Sequence, residues 1–585
     1  MAMTEHGVAR REGSFDPSGD HATTNARLEL GLAALAVLAL GALALMLWLN
    51  DFLIVGALYD DIFVPWDAGA RWYAGQMPSI DFPSSIGPFY YAFHGLAYAA
   101  AAGGATTIDK ASVIALLVTA PLMATILFTR FPALLAAIAL LCLGLWMIAP
   151  GQADYTPKVF SHLASYNRHG LVWTALVVIL SAVSSRWTSE TARGWWYGPV
   201  VDGVLAGFCL FLSLFTKITF ALPAGLFFGL AMLARHRLQV RPVLATYGGA
   251  LAVLVGGTAV LELAEPGFIS AYVSDLAYAV SVQAEGAFAI SNRGDAMTFY
   301  LVEALLAALA VFAIVGHIGL RLSLVPAAWA FAALLTLGLT MAQVHDTYAP
   351  ILAVSTLVFY GVAQANIAMH ASPRDRRLLR FSVMPCFILA ISVSAISVMQ
   401  HSLYSQRVAA QPGRYLAFAD RGFAFSQGAA PIEAAQLDAA RLNSSLTRVA
   451  DGTVTPDEWN EAGSFQAIES YQYWRDARAL LERSAIGQDA HIFCFAFANA
   501  CPALTRTTPP EHLLLWWHLG RSYALASPPP GALEDTDIIL VPKVDRFGYG
   551  QAIEEAYAGE LARDFVQVRE SDFWRLLRRR TSASL

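Results

Sequence analysis

Residues 59–67 read Tyr59-Asp60-Asp61-Ile62-Phe63-Val64-Pro65-Trp66-Asp67, and the run continues through Gly75-Gln76 to Asp81-Phe82-Pro83 and Gly87-Pro88. Four carboxylates (Asp60, Asp61, Asp67, Asp81) share this stretch with Trp66, Trp72, Tyr73, Tyr90 and Tyr91. It begins just after the first long apolar run, so it opens the first loop outside the hydrocarbon. A lipid-embedded span does not tolerate such a load, and a mere connector has no need of it. Carboxylates act as general bases or hold metals, and aromatic faces suit the apolar faces of sugar rings. The loop therefore reads as a reactive site, held at the membrane surface by the apolar segments around it.

The rest of the chain fits that placement. Of 585 residues, 56% are hydrophobic and only 14% charged, which excludes an ordinary soluble globule. Apolar runs of about 17 to 22 residues recur over the first two thirds, and about 20 residues cross a bilayer. The first run is long and many follow it, so it is no simple cleaved leader. A net charge of −6 gives no reason to expect nucleic acid as a partner.

Residues 1–27 are polar and read as a disordered cytoplasmic tail. Spans are expected near 28–50, 111–129, 132–149, 170–185, 199–215, 218–234, 243–263, 299–319, 323–341, 348–367 and 381–399. One alternate set of connections holds Arg130, Arg186, Arg193, Arg235, Arg237, Arg241, Arg321, Arg374, Arg376, Arg377 and Arg380. The other set is far longer and holds only Arg71, Lys110, Lys158, Arg168, Lys217 and Arg293. The positive-inside rule makes the first set cytoplasmic. Eleven spans starting inside end outside, so the 51–110 loop and everything from about residue 400 face the periplasm. The 199–234 region either crosses twice, turning at Thr216-Lys217, or re-enters without crossing; the double crossing is the expectation.

From residue 400 the Leu and Val runs give way to Gln, Arg, Asp, Pro and Ser. The stretch 405–490 reads as helices and loops, 491–497 and 537–541 as strands, 550–565 as helix and 572–577 as a last strand. Residues 400–585 are thus expected to form a small extracytoplasmic α/β domain on a transmembrane domain of residues 28–399. Cys142, Cys209 and Cys386 fall in spans as packing residues, whereas Cys494 and Cys501 are near enough either to pair or to stay free. Trp516-Trp517-His518 reads as core aromatics before it reads as a sugar platform.

The pair Asp60-Asp61, followed by Arg71-Trp72-Tyr73-Ala74-Gly75, resembles the first outer loop of GT-C superfamily glycosyltransferases. The segment Asp81-Phe82-Pro83-Ser84-Ser85-Ile86-Gly87-Pro88 is similar to a bacterial branch of that superfamily. The motifs cover residues 58–91, while the topology extends the likeness to the whole chain. The resemblance implies an integral-membrane, inverting transferase of the bacterial inner membrane. Its donor would be a polyprenyl-phosphate-linked sugar, its acceptor a glycan, lipid or protein, and its setting the lipid bilayer. Asp60 or Asp61 would be the base, with Asp67 a third catalytic candidate. The superfamily differs in metal dependence, so a divalent cation (Mg2+ or Mn2+) at Asp60 and Asp61 stays open.

Other positions are candidates for substrate binding. Tyr166-Asn167-Arg168-His169 sits at the outer mouth of the fourth span, after Lys158 and His162. Lys217 crowns the expected hairpin, and Asp346 ends the ninth span in Gln343-Val344-His345-Asp346. Arg168 and Lys217 would suit a lipid phosphate, or would simply reach for the interface as long cations do. Asp67 and Asp81 divide between chemistry and capping or turn roles. His162 and His169 are ligands or interfacial hydrogen-bonders, and Glu303 is an intramembrane carboxylate expected to be paired or functional. A transporter or flippase would place its charges nearer mid-span. A polysaccharide polymerase or ligase would carry its large acceptor loop later in the chain.

Overall fold

The computed structural model describes residues 18–56, 59–150, 160, 162, 165–185, 197–236, 239–285, 353–358, 360–361, 373–427, 430–436, 467–545 and 548–580. The longer helices among these residues are α1 (Ser18–Trp48), α2 (Phe63–Tyr73), α3 (Pro88–Ala100), α4 (Thr107–Arg130), α5 (Ala133–Ile148), α6 (Ser165–Ala182), α7 (Tyr197–Leu214), α8 (Ile218–Arg235), α9 (Val240–Ala264), α10 (Phe268–Glu285), α11 (Pro373–Ala410) and α12 (Ala467–Arg483). Among the described residues six helical stretches are long and apolar enough to cross a membrane: 27–48, 107–130, 197–214, 218–235, 240–264 and 384–410. The chain is a polytopic α-helical membrane protein. The expected spans at 299–319 and 323–341, most of 348–367, and the residues Lys158, Arg293, Glu303, His345 and Asp346 lie outside the described residues.

The bundle sorts its residues by surface. Leu171 to Leu180 of α6 are almost wholly buried, making that helix the centre of the bundle. By contrast Leu28, Leu35, Leu38 and Leu45 of α1, and Leu244, Leu251, Val255 and Leu263 of α9, stay exposed, as a lipid-facing surface requires. Helices α7 and α9 approach closely because Gly203 and Gly207 face Thr246 and Ala250, and a Cβ at Gly207 would stand 2.8 Å from the Ala250 carbonyl oxygen. At one end of the bundle Asp202 gathers Arg130 at 2.5 Å and Arg235 at 3.2 Å. The topology argument places those two arginines on one membrane side, and here they meet on one carboxylate. They also donate to the Val183 and Leu180 carbonyls at the C-terminal end of α6.

Two features differ from expectation. Helix α1 begins at Ser18, inside the segment read as tail, because no proline interrupts it before Trp48. The 199–234 region, by contrast, forms two 18-residue helices, α7 and α8, with the turn at Thr216-Lys217 where it was expected. The stretch beyond residue 400 contains short strands β2 (Ala417–Phe418), β3 (Phe423–Gln427) and β4 (Ala430–Pro431) where helices and loops were expected. Strand β1 (Leu53–Val55), from the first loop, pairs in parallel with β3.

The first loop and the C-terminal region therefore share a sheet, and they share a core too. Ile62, Phe63, Trp66, Phe82 and Tyr90 pack with Phe423, Trp474, Ile492, Ile538 and Trp574 in one cluster. A second sheet has the order β5-β6-β8-β7, from β5 (Ile492–Cys494), β6 (Ile538–Pro542), β7 (Phe565–Glu570) and β8 (Trp574–Arg579). Strand β7 starts where the expected helix over 550–565 ends, and it pairs antiparallel with β8. Cys494 and Cys501 are joined by a disulfide with their Cα atoms 5.9 Å apart, which ties β5 to the short helix Ala500–Thr505 behind it. Trp517 is wholly buried against Phe493, a core aromatic as expected.

Candidate active site

Asp60 and Asp61 lie on a single 3₁₀ turn, Tyr59–Ile62, which leads directly into α2. The apolar residues on either side anchor the turn. Ile62 and Phe63 are fully buried, and Tyr59 donates its hydroxyl to the Ser426 carbonyl at 3.1 Å. The two carboxylates remain half-buried. Asp60 accepts the indole N–H of Trp474, on α12, at 3.1 Å. Burial, reinforced by the neighbouring Asp60 charge, pushes the Asp61 pKa up to about 8, and the Arg521 guanidinium pulls against it.

An aromatic wall stands beside Asp61. The Tyr90 and Tyr166 rings meet edge to face with centroids 5.2 Å apart, and the Asp61 charge bears on both hydroxyls. Lys217 lies over the Tyr166 ring at 5.2 Å and over Phe220 at 5.5 Å, and its Nζ donates to Asn167 Oδ1 at 3.0 Å. Lys217 is the N-cap of α8, so the cation and the helix N-terminus present positive charge at the same place. On the other flank Tyr549 feels both Asp60 and Asp61, and burial together with those charges pushes its hydroxyl up to about 12.

The glycine-proline segment holds these parts together. Gly87 and Phe89 donate their amides to the Thr216 and Phe215 carbonyls at 3.0 and 3.2 Å, docking the first loop onto the Thr216-Lys217 turn. A Cβ at Gly87 would overlap the Phe215 carbonyl, so only glycine admits the approach. Helix α10 adds a second brace, with Asp275 accepting the Ser84 amide at 2.7 Å. Burial raises the Asp275 pKa to about 6.

Of the candidates from the sequence, Asp61 and Lys217 both bear on Tyr166, and Asp60 adjoins Asp61 on the same turn. The others lie elsewhere. Asp67 is wholly buried in an ion pair with Arg71 at 2.7 Å. Arg71 also donates to the Pro510 carbonyl at 3.0 Å, while Gln76 donates to that of Pro509 at 2.8 Å. That network pins α2 to the C-terminal region. Asp81 accepts the Met77 amide at 2.5 Å, a turn role. Arg168 is buried and donates to the Ala149 carbonyl. His169 is buried beside Phe93 and Trp173. His162 lies beside His401 and Asp109. Asp346 lies outside the described residues.

No motif marks Trp474, Arg521 and Tyr549, which reach the pair from far along the chain. Arg521 follows Trp516-Trp517-His518, a group already singled out, but nothing in its own surroundings marks it. Among the described residues no third His, Cys, Asp or Glu ligand atom clusters with the Asp60–Asp61 pair.

No family model matches the chain, and no curated protein matches it. Its fold is similar to that of ArnT from Cupriavidus metallidurans bound to undecaprenyl phosphate. That match has a TM-score of 0.45 at 11% identity and covers 93% of this chain and 98% of that one. The same protein in its apo state gives 0.39 at 11% identity over 92% and 97% of the two chains. The Archaeoglobus fulgidus oligosaccharyltransferase in complex with zinc and sulfate gives 0.33 at 11% identity, over 86% of this chain and 67% of that one.

Proposed function

We propose that this protein is a membrane glycosyltransferase that moves a sugar from a polyprenyl-phosphate carrier to an acceptor on the periplasmic face of the bacterial inner membrane. One juxtaposition carries the reading. A half-buried carboxylate with a raised pKa and a cation at the mouth of a membrane helix act on the same tyrosine, Tyr166. The first suits an acceptor hydroxyl, and the second suits a lipid phosphate lying at the bilayer surface.

In this mechanism the acceptor oxygen attacks the anomeric carbon from the face opposite the phosphate, inverting the configuration. Asp61 takes the acceptor proton. A base with a pKa near ambient pH is better matched to that task than an ordinary carboxylate. Asp60, held by the Trp474 indole, orients the acceptor and keeps the Asp61 pKa raised. The leaving lipid phosphate is already a good leaving group, so no strong acid is needed. Lys217 and the α8 N-terminus stabilise its charge from a fixed position. Two adjacent carboxylates suffice to hold Mg2+ or Mn2+ jointly with substrate phosphate, and such an ion would add positive charge at the leaving group.

The direct test incubates purified protein in detergent with a panel of radiolabelled polyprenyl-phosphate sugars and envelope acceptors. Transfer from one donor, lost in Asp61→Asn, is the expected result. No turnover of any donor by a well-folded preparation would overturn the reading.

A further inference from the structure

Away from the acidic pair, Asp109, His162 and His401 bring one ligand atom each to within 4.8 Å of one another, and all three are buried. They arrive from separate parts of the chain: the first turn of α4, the residues before α6, and the outer half of α11. We propose that they form a structural zinc site that fastens the outer layer to the membrane bundle.

The donor set favours zinc. Two imidazoles and one carboxylate are borderline ligands of the zinc type, whereas Mg2+ and Mn2+ favour oxygen alone. Ligand atoms around a tetrahedral zinc stand about 3.3 Å apart, given bonds of about 2.0–2.1 Å. The His401 Nε2 to Asp109 Oδ2 distance is 2.9 Å, so the ion's spacing falls between that value and the 4.8 Å limit of the cluster.

The surroundings are those of a metal centre. The His162 Nε2 lies 3.2 Å from the Ile54 carbonyl, in β1. A carbonyl only accepts, so Nε2 carries the proton and Nδ1 keeps the lone pair that binds metal. Asn50, at the end of α1, donates to the same Asp109 oxygen at 2.8 Å and so orients the carboxylate. Two polar atoms in this nest are buried with no hydrogen-bond partner among the described residues: Asn50 Oδ1 and His401 Nδ1. An apolar fold would not leave such atoms unsatisfied without reason.

The consequence is mechanical. Strand β1 pairs with β3 of the C-terminal region and is followed by the turn that carries Asp60 and Asp61. Zinc on His162 would hold β1 through the Ile54 carbonyl, while Asp109 and His401 tie the same ion to α4 and α11.

Metal content of the full chain tests the proposal without any activity measurement. Protein purified without chelator should carry about one zinc per chain by elemental analysis. Its unfolding temperature should fall on treatment with a strong chelator and recover with added zinc. His401→Gln and His162→Gln should lose both the zinc and the recovery, whereas Asp61→Asn should keep them. Wild-type protein without zinc, and unshifted by added zinc, would overturn the site. So would zinc retained in both histidine variants, or zinc lost in Asp61→Asn. None of these outcomes depends on whether Asp60 and Asp61 are the catalytic pair.

Discussion

The Gly87 amide donates to the Thr216 carbonyl at 3.0 Å, joining the first loop to the turn between helices α7 and α8. This contact sets the position of the acidic loop relative to Lys217, one residue further on. Gly87→Ala places a methyl against the Phe215 carbonyl, which is backbone and cannot swing aside. The expected result is a loss of about 1–3 kcal/mol in stability together with a steep fall in transfer. Thermal unfolding and turnover of the same preparation check it. Full activity in the alanine variant would show that the docking does not position the site.

The pH dependence of turnover separates Asp61 from its neighbours. A base with a pKa near 8 must lose its proton to act, so the rate should rise with pH and level off above about 8. Asp60→Asn removes a like charge that raises this pKa, so the rise should move to lower pH. Removal of Arg521, whose charge lowers it, should move the rise to higher pH. Asp61→Asn should lose about 10²-fold or more in rate and abolish the rise. A pH profile identical in all three variants would exclude Asp61 as the base.

Asp67→Asn should act on stability before chemistry. It leaves the Arg71 guanidinium buried without its counter-charge, a change that destabilises by about 3–5 kcal/mol. The variant should unfold at lower temperature, and folded molecules should retain most of their turnover number. A normal unfolding temperature with a large loss of rate would return Asp67 to the catalytic group.

Lys217→Ala should weaken donor use, by roughly 2–4 kcal/mol if the cation meets the departing phosphate. Lys217→Arg should restore part of the loss, because the charge returns with a different shape. Equal activity of all three proteins over a range of donor concentrations would remove Lys217 from the site.

Much of this protein follows from local chemistry, and local chemistry is what a sequence displays. The apolar runs predicted the helices near 28–50, 111–129, 132–149 and 243–263, because a lipid-facing or bundle-centred helix must be apolar along its own length. The turn at Thr216-Lys217 was legible from flanking arginines, and the β5, β6 and β8 strands from their apolar runs. What the sequence could not decide was the partner of each of the four carboxylates. Asp67 and Asp60 are equally acidic on paper. One is neutralised by Arg71 a helical turn away, and the other reaches Trp474 on α12. Strand β1 is too short to read, and it exists because β3 pairs with it from far along the chain. Asp109, His162 and His401 carry no motif, since their spacing in sequence bears no relation to their spacing in space. Contacts of that kind form only when the whole chain has packed, so they belong to the tertiary structure alone.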